Sequence, residues 1–207
     1  TIEKLIQKDE VAVVSLTDKQ KEELITIFKS QLPAIEKTEF IVSFEQLSEK
    51  SNPVFVTQNE FMRRMKEMSA LQGGMMSFYG EMPDSYNLIV NTGHPLISNI
   101  LNEEETSLNE IIAPLHEELS SLETKHQALK DSHKDKNTEE VPVEEKAEFD
   151  TLSDQMKAIR DKKDEVLKAY ASGNKQVRQL IDLALLANNM LKGEALANFV
   201  KRSVELM

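Results

Sequence analysis

The chain has 207 residues, with 25 Lys and Arg against 36 Asp and Glu and a net charge of −11, a balance that argues against nucleic acid and anionic membranes because phosphate-rich partners need a basic surface. It contains no Cys, which excludes disulfides, thiolate metal sites and cysteine nucleophiles. Only 5% of residues are aromatic, Trp is absent and 29% are charged, a composition that favours long solvated helices over a sandwich or barrel.

Residues 1–101 read as an α/β part. After an apolar stretch holding Val11, Val13, Val14 and Leu16, either Thr17 or Asp18 can cap a helix whose apolar positions are Leu24, Ile25, Phe28 and Leu32. Pro33 ends it. The segments FIVSF (40–44) and PVFVT (53–57) are β-branched and aromatic, and the polar loop between them predicts an antiparallel pair. A third strand fits 86–91. Between them a helix is expected to start near Gln58 or Asn59, followed by a Gly-containing segment. No apolar run reaches the roughly 18–20 residues of a membrane span, and the opening TIEKLIQKDE lacks the pattern of a signal peptide. A chain that begins with Thr is expected to be a piece of something longer.

Residues 102–174 carry two heptad seams. The first is Leu108, Ile112, Leu115, Leu119, Leu122, His126, Leu129 and His133; the second is Phe149, Leu152, Met156, Ile159, Lys163, Val166 and Tyr170. A charged turn containing Pro142 joins them, which predicts an antiparallel coiled-coil hairpin of roughly 35–40 Å. Near-constant index sums put Leu129 by Leu152, His126 by Met156, Leu122 by Ile159, Leu119 by Lys163 and Leu115 by Val166. Lys163 is expected to snorkel along Leu119. Pro114 predicts a bend or a helix start near the base of the first arm.

Residues 175–207 hold two helices. The first is apolar almost all round, through Leu180, Ile181, Leu183, Ala184, Leu185, Leu186 and Ala187, and so needs neighbours on two sides. The last carries Leu196, Phe199, Val200, Val204 and Met207 at helical spacing, and Asn188, Asn189, Lys192 and Gly193 mark the turn between the two. A small domain has little surface of its own to cover both helices, which points to a second subunit.

Chemistry is not advertised. His126 and His133 share a face but stand ~10.5 Å apart along a helix, too far for one metal ion, and seam positions explain them. His94 reads as the start of a helix ahead of Pro95. The Gly73-Gly74 pair lacks the GK[ST] of a phosphate loop, and no nucleophile elbow or HExxH is present. The feature that asks for a function is a methionine cluster. Phe61, Met62, Met65 and Met68 alternate with Arg63, Arg64, Lys66 and Glu67; Met75, Met76, Phe78, Tyr79 and Met82 follow. An apolar stripe on a helix is ordinarily core. Six Met among the 21 residues 62–82 is nonetheless excessive for a core of defined rotamers, and flexible Met side chains suit a surface that repacks around many partners.

Three ordered segments, NEFMRRMKEM, YNLIVNTGHPLISNIL and LIDLALLANNMLKGEALANFVKRSVELM, together resemble the C-terminal domain of bacterial heat shock protein 90 chaperones of the HtpG type. In that family a strand ending in Asn leads through an N-x-x-H-P-L-like turn into a helix, matched here by Asn91, His94, Pro95 and Leu96. The resemblance covers about residues 19–101 and 175–207. It implies an α+β fold with a small three-stranded sheet and an obligate homodimer closed by a four-helix bundle. Within that bundle the interface would rest on Leu180, Leu183, Ala184, Ala187, Leu191, Leu196, Phe199, Val200 and Val204. The same resemblance implies that Phe61, Met62, Met65, Met68, Met75, Met76, Phe78 and Tyr79 hold non-native client proteins.

ATP and magnesium would bind in other domains of the intact protein, so this part needs no cofactor and is not an enzyme; the cytoplasm is the expected location. Residues 102–174 have no counterpart in the usual family member and read as an inserted hairpin. It could contact client, bind a cochaperone, acidify the cleft between subunits or serve as a solvated arm. A competing reading is a coiled-coil adaptor, in which the hairpin binds a protein partner and the α/β part is only a base.

Overall fold

In a computed structural model, which describes residues 16–72, 82–132 and 142–205, Thr17 opens helix α1 (Asp18–Gln31) with a capping box. Its side chain accepts from the Gln20 amide, and the Gln20 side chain returns to the Thr17 amide. Glu23, Leu24, Ile27 and Phe28 form the buried face of α1. The chain leaves the helix at Leu32, one residue ahead of Pro33.

Three strands follow: β1 (Thr38–Glu45), β2 (Val54–Gln58) and β3 (Asp84–Asn91), with helix α2 (Glu60–Gln72) between β2 and β3. The expected β1–β2 pair is not formed. The order is β1-β3-β2, with β1 parallel to β3 and β2 antiparallel to it. The reason lies in β3, where Leu88, Ile89, Val90 and Asn91 are all buried. A strand covered on both faces takes the centre, and the β1–β2 loop crosses its end rather than making a tight hairpin. Registers such as Val42↔Leu88↔Val56 and Phe44↔Val90↔Val54 put one apolar set on one face.

Four further helices complete the described residues: α3 (Pro95–Ser132), α4 (Val143–Gly173), α5 (Lys175–Ala187) and α6 (Gly193–Glu205). His94 precedes α3, its Nδ1 accepting from the Leu96 amide at 3.1 Å. Pro114 lies inside α3, so no new helix starts there. Asn174 caps α5 by accepting from the Gln176 and Val177 amides. The α5–α6 turn uses Asn189 at φ 56° and Gly193 at φ 58°, conformations that Asn and Gly adopt at least cost.

The chain divides into two compact units, one running up to Asn102 and resuming at Tyr170, the other Glu103–Ala169. In the first, α1 packs on β1 and on α5, α5 packs on β2 and on α6, and α2 packs on β3. Leu24, Phe28, Leu88, Val90, Ile181 and Leu185 are fully buried there.

In the second unit the middle heptad positions are turned from water, but at its base the expected seam shifts: Leu167 and Glu104 are buried, whereas Val166, expected beside Leu115, and Leu108 are only half-buried. Leu115, Leu119, Met156 and Ile159 form a buried cluster with Leu122 against it. Glu123 and Arg160 pair across the helices at 2.8 Å. Two further details differ from the seam arithmetic. His126 stacks on Phe149, with ring centroids 4.1 Å apart, and its Nε2 meets Ser153 Oγ at 3.1 Å, so its ring partners lie nearer the tip than Met156. Lys163 is only 5% exposed; its side chain is enclosed by the seam instead of reaching out to water. His133 lies outside the described residues.

Candidate functional site

Helix α2 is built to show an apolar edge. Asn59 begins it by accepting from the Met62 amide at 3.2 Å. One side is a network of charges: Arg63 binds Glu60 through Nη2 at 2.8 Å and Nε at 2.9 Å, and also pairs with Glu67, while Arg64 Nε reaches Glu60 at 2.8 Å. Hydrogen bonds from Arg63 and then Arg64 lower the Glu60 carboxyl to a pKa of about 2, and Glu60 raises the Arg63 guanidinium in turn. The inner side is anchored to β3 by Lys66 Nζ and Asp84 Oδ1 at 2.7 Å, with Ser69 buried.

What remains is the edge on which Phe61, Met65 and Met68 follow at steps of four and three. Phe61 is 65% exposed and Met68 40%; Met62 and Met65 are half-buried. Of these methionines Met68 is exposed, while Met62 and Met65 are partly covered by the chain. Met75, Met76, Phe78 and Tyr79 lie outside the described residues.

The residues expected at a dimer interface divide into two sets. Leu180, Ala184, Leu191 and Phe199 are buried within the single chain. Leu183, Val200 and Val204 are exposed, at 46%, 53% and 65%, together with Ala187, and Leu196 is half-buried. On α6 the residues Leu196, Val200 and Val204 repeat every four and share one face. Sequence reasoning passed over Ile41 at 53% and Ile111 at 48% exposure, since single apolar positions in a strand or seam carry no special signal.

It also passed over a polar network between α5 and α6. Asp182 is 1% exposed and pairs with Arg202 of α6 and with Arg178 Nε at 3.5 Å. Arg178 Nη1 donates to the Gln31 carbonyl at 2.7 Å, supplying a partner at the end of α1. The available signal was a single acid inside the apolar run LIDLALLA, which a core helix keeps only when the charge is matched. Arg178, Asp182, Lys201, Arg202 and Glu205 line a cleft of about 330 Å³, too charged to suit an apolar small molecule. Among the described residues no group of three or more His, Asp or Glu could hold a metal ion, and no helix is long and apolar enough to cross a membrane.

Three relatives place the chain. It is 50% identical over 206 residues to the chaperone protein HtpG of Bacteroides thetaiotaomicron, 48% over 206 to that of Bacteroides fragilis, and 44% over 208 to that of Porphyromonas gingivalis. Each alignment covers 100% of this chain, residues 102–174 included, and 30% of the relative. The chain thus spans about three tenths of the length of the curated relatives it matches. No family model and no solved structure matches it. Identity of 44–50% along its whole length makes the chain a segment of a bacterial HtpG-type chaperone, within the heat shock protein 90 family.

Proposed function

We propose that this segment is the dimerisation and client-binding module of an ATP-dependent chaperone. ATP and magnesium are bound elsewhere in the intact cytoplasmic protein, and this module does no chemistry of its own. The observation that carries the reading is the exposure of two apolar helix edges in one unit: Phe61 with Met68 on α2, and Val200 and Val204 on α6, continued by half-buried Leu196, with Leu183 on α5. Contiguous apolar surface bounded by charge marks sites that bind protein. The α6 face repeats every four residues and suits another helix. The α2 edge is rich in methionine and suits varied, non-native chains.

Absolute mass by light scattering tests the first half. The monomer is 23.5 kDa, so a species of twice that mass at micromolar concentration supports the shared bundle, and a stable monomer defeats it. Suppression of aggregation of an unfolded model protein tests the second half, with Met62→Ser and Met65→Ser expected to reduce it.

A coiled-coil adaptor is the second reading, and one observation favours it. Residues 103–169 hold 19 Asp and Glu against 10 Lys and Arg, a net −9 of the chain's −11, so the second unit is the acidic surface. Deleting residues 106–172 separates the two readings. Dimerisation survives the deletion if the module reading holds, whereas partner binding vanishes if the hairpin is the binding element.

A further inference from the structure

Helix α6 is fastened to its own chain by few apolar side chains and by a set of directional polar contacts. Of its 13 residues only Phe199 is buried. The rest of the fastening is a clasp centred on Asp182, which pairs with Arg202. Arg202 Nε donates to Gln179 Oε1 at 3.1 Å, the Gln179 amide donates to Ser203 Oγ, and Lys175 meets Glu205 at 3.0 Å. Arg178 extends the clasp from Asp182 to the Gln31 carbonyl of α1. One carboxylate oxygen of Asp182, Oδ1, is buried without a hydrogen-bond partner.

Holding a helix this way is costly, because a buried carboxylate must be desolvated and apolar packing holds helices without that cost. What a charged, directional pair adds is a fixed rotation and register. Rotation matters on α6. The clasp residues Arg202 and Ser203 lie on one side and Leu196, Val200 and Val204 on the next, so turning the helix by one residue, about 100°, would bring Lys201 to the place of Val200.

We infer that the Asp182–Arg202 clasp, with Gln179 and Ser203, is a registration device that sets the rotation and slide of α6, so that Leu196, Val200 and Val204 meet a second copy of the chain in a single register. The inference rests on the dimer proposed above and makes these four polar residues positioning residues for self-association.

The chain contains no Cys, so one Glu194→Cys, exposed on α6 and outside the cleft lined by the clasp, can carry a spin label. Pulsed electron resonance then reads the label-to-label distance in the dimer, and sedimentation gives its dissociation constant. Asp182→Asn and Arg202→Gln are each expected to weaken the dimer about tenfold or more and to broaden a narrow distance peak, with Arg202→Lys recovering part of the narrow peak. Gln179→Ala leaves no buried charge behind and is expected to broaden the peak in the same sense, which keeps the test open if the charge variants unfold.

An unshifted narrow peak in the folded variants, with dissociation constants within about twofold of the unsubstituted chain, overturns the inference and leaves the dimer standing. So does a weakened dimer whose peak stays narrow and whose loss is matched by lost monomer stability, since the clasp would then be structural only. An unsubstituted chain that is monomeric removes the dimer reading itself, and the inference with it.

Discussion

Gly93 and Leu47 approach so closely that a Cβ on the glycine would fall 2.2 Å from the leucine carbonyl oxygen. The approach is organised by Asn91, fully buried at the end of β3. Its Oδ1 accepts from the amides of Leu47 and Gly93, each at 3.0 Å, and its Nδ2 donates to the Ser48 carbonyl at 3.1 Å. One side chain therefore ties the β1–β2 loop to the turn that launches α3. Asn91→Ala is expected to cost about 2–4 kcal/mol of unfolding free energy, since it strands buried backbone groups. Gly93→Ala is expected to destabilise as well, because the obstacle is backbone. Urea denaturation of both variants checks this, and unchanged midpoints would show that the loop relaxes freely.

Phe61→Ser with Met68→Ser removes side chains that are 65% and 40% exposed. The melting temperature should stay within the shift produced by about 0.5 kcal/mol, as for other surface changes, while suppression of client aggregation falls. A large drop in melting temperature would mean that the edge is covered in solution.

Truncation and charge insertion should have different effects on α6. Phe199 is 9% exposed within one chain, so Phe199→Ala is expected to cost about 3–5 kcal/mol of fold stability, whatever it does to association. Val200→Glu and Val204→Glu lie on exposed positions and should leave the fold intact while shifting the mass from dimer to monomer. Light scattering paired with thermal unfolding distinguishes these; monomers that also unfold early would contradict the division.

The Glu60 carboxyl, held near a pKa of about 2 by Arg63 and Arg64, sets a pH dependence for the start of α2. A depressed carboxylate contributes stability above its unfolded value of 4.5 and loses that contribution as pH falls through the folded value. Fraying at the α2 start should therefore increase between those two values. Titration of the Glu60 carboxyl carbon by nuclear magnetic resonance checks it, and a midpoint near 4.5 would mean that the arginine contacts are not maintained.

Within the second unit, Ile159 belongs to the buried cluster with Leu115, Leu119 and Met156. Ile159→Ala should cost about 2–5 kcal/mol. Hydrogen exchange should show the loss confined to residues of α3 and α4 in the Glu103–Ala169 unit, and exchange accelerated equally in α1 and α5 would show that the two units unfold as one.

Much of this was legible in the residues because it depends on local chemistry. Pro95 starts a helix because its missing N–H belongs in a first turn; Thr17 and Asp18 both read as caps of α1, and the reciprocal contacts with Gln20 select Thr17. The seam from Leu108 to Leu129 stands out because its period is repeated. The methionine run of α2 stands out by composition, and within it the structure exposes Phe61 and Met68 and leaves Met62 and Met65 half-buried. Asp182 was passed over because its partner Arg202 lies twenty residues on, in another helix.

By itself, then, the sequence determined that α1 stops ahead of Pro33, that α3 starts at Pro95, that α3 and α4 meet along Leu115, Leu119, Met156 and Ile159, and that the chain resembles a heat shock protein 90 chaperone. Only the tertiary structure decided that β3 lies between β1 and β2, that Lys163 is enclosed, and which of the apolar residues of α5 and α6 remain exposed. The physical reason is range. Caps, turns and periodicity act over three to seven neighbouring residues, whereas strand order and exposure depend on which distant surfaces compete for the same burial, as Leu180 is covered while Leu183, one turn along the same helix, is left in water.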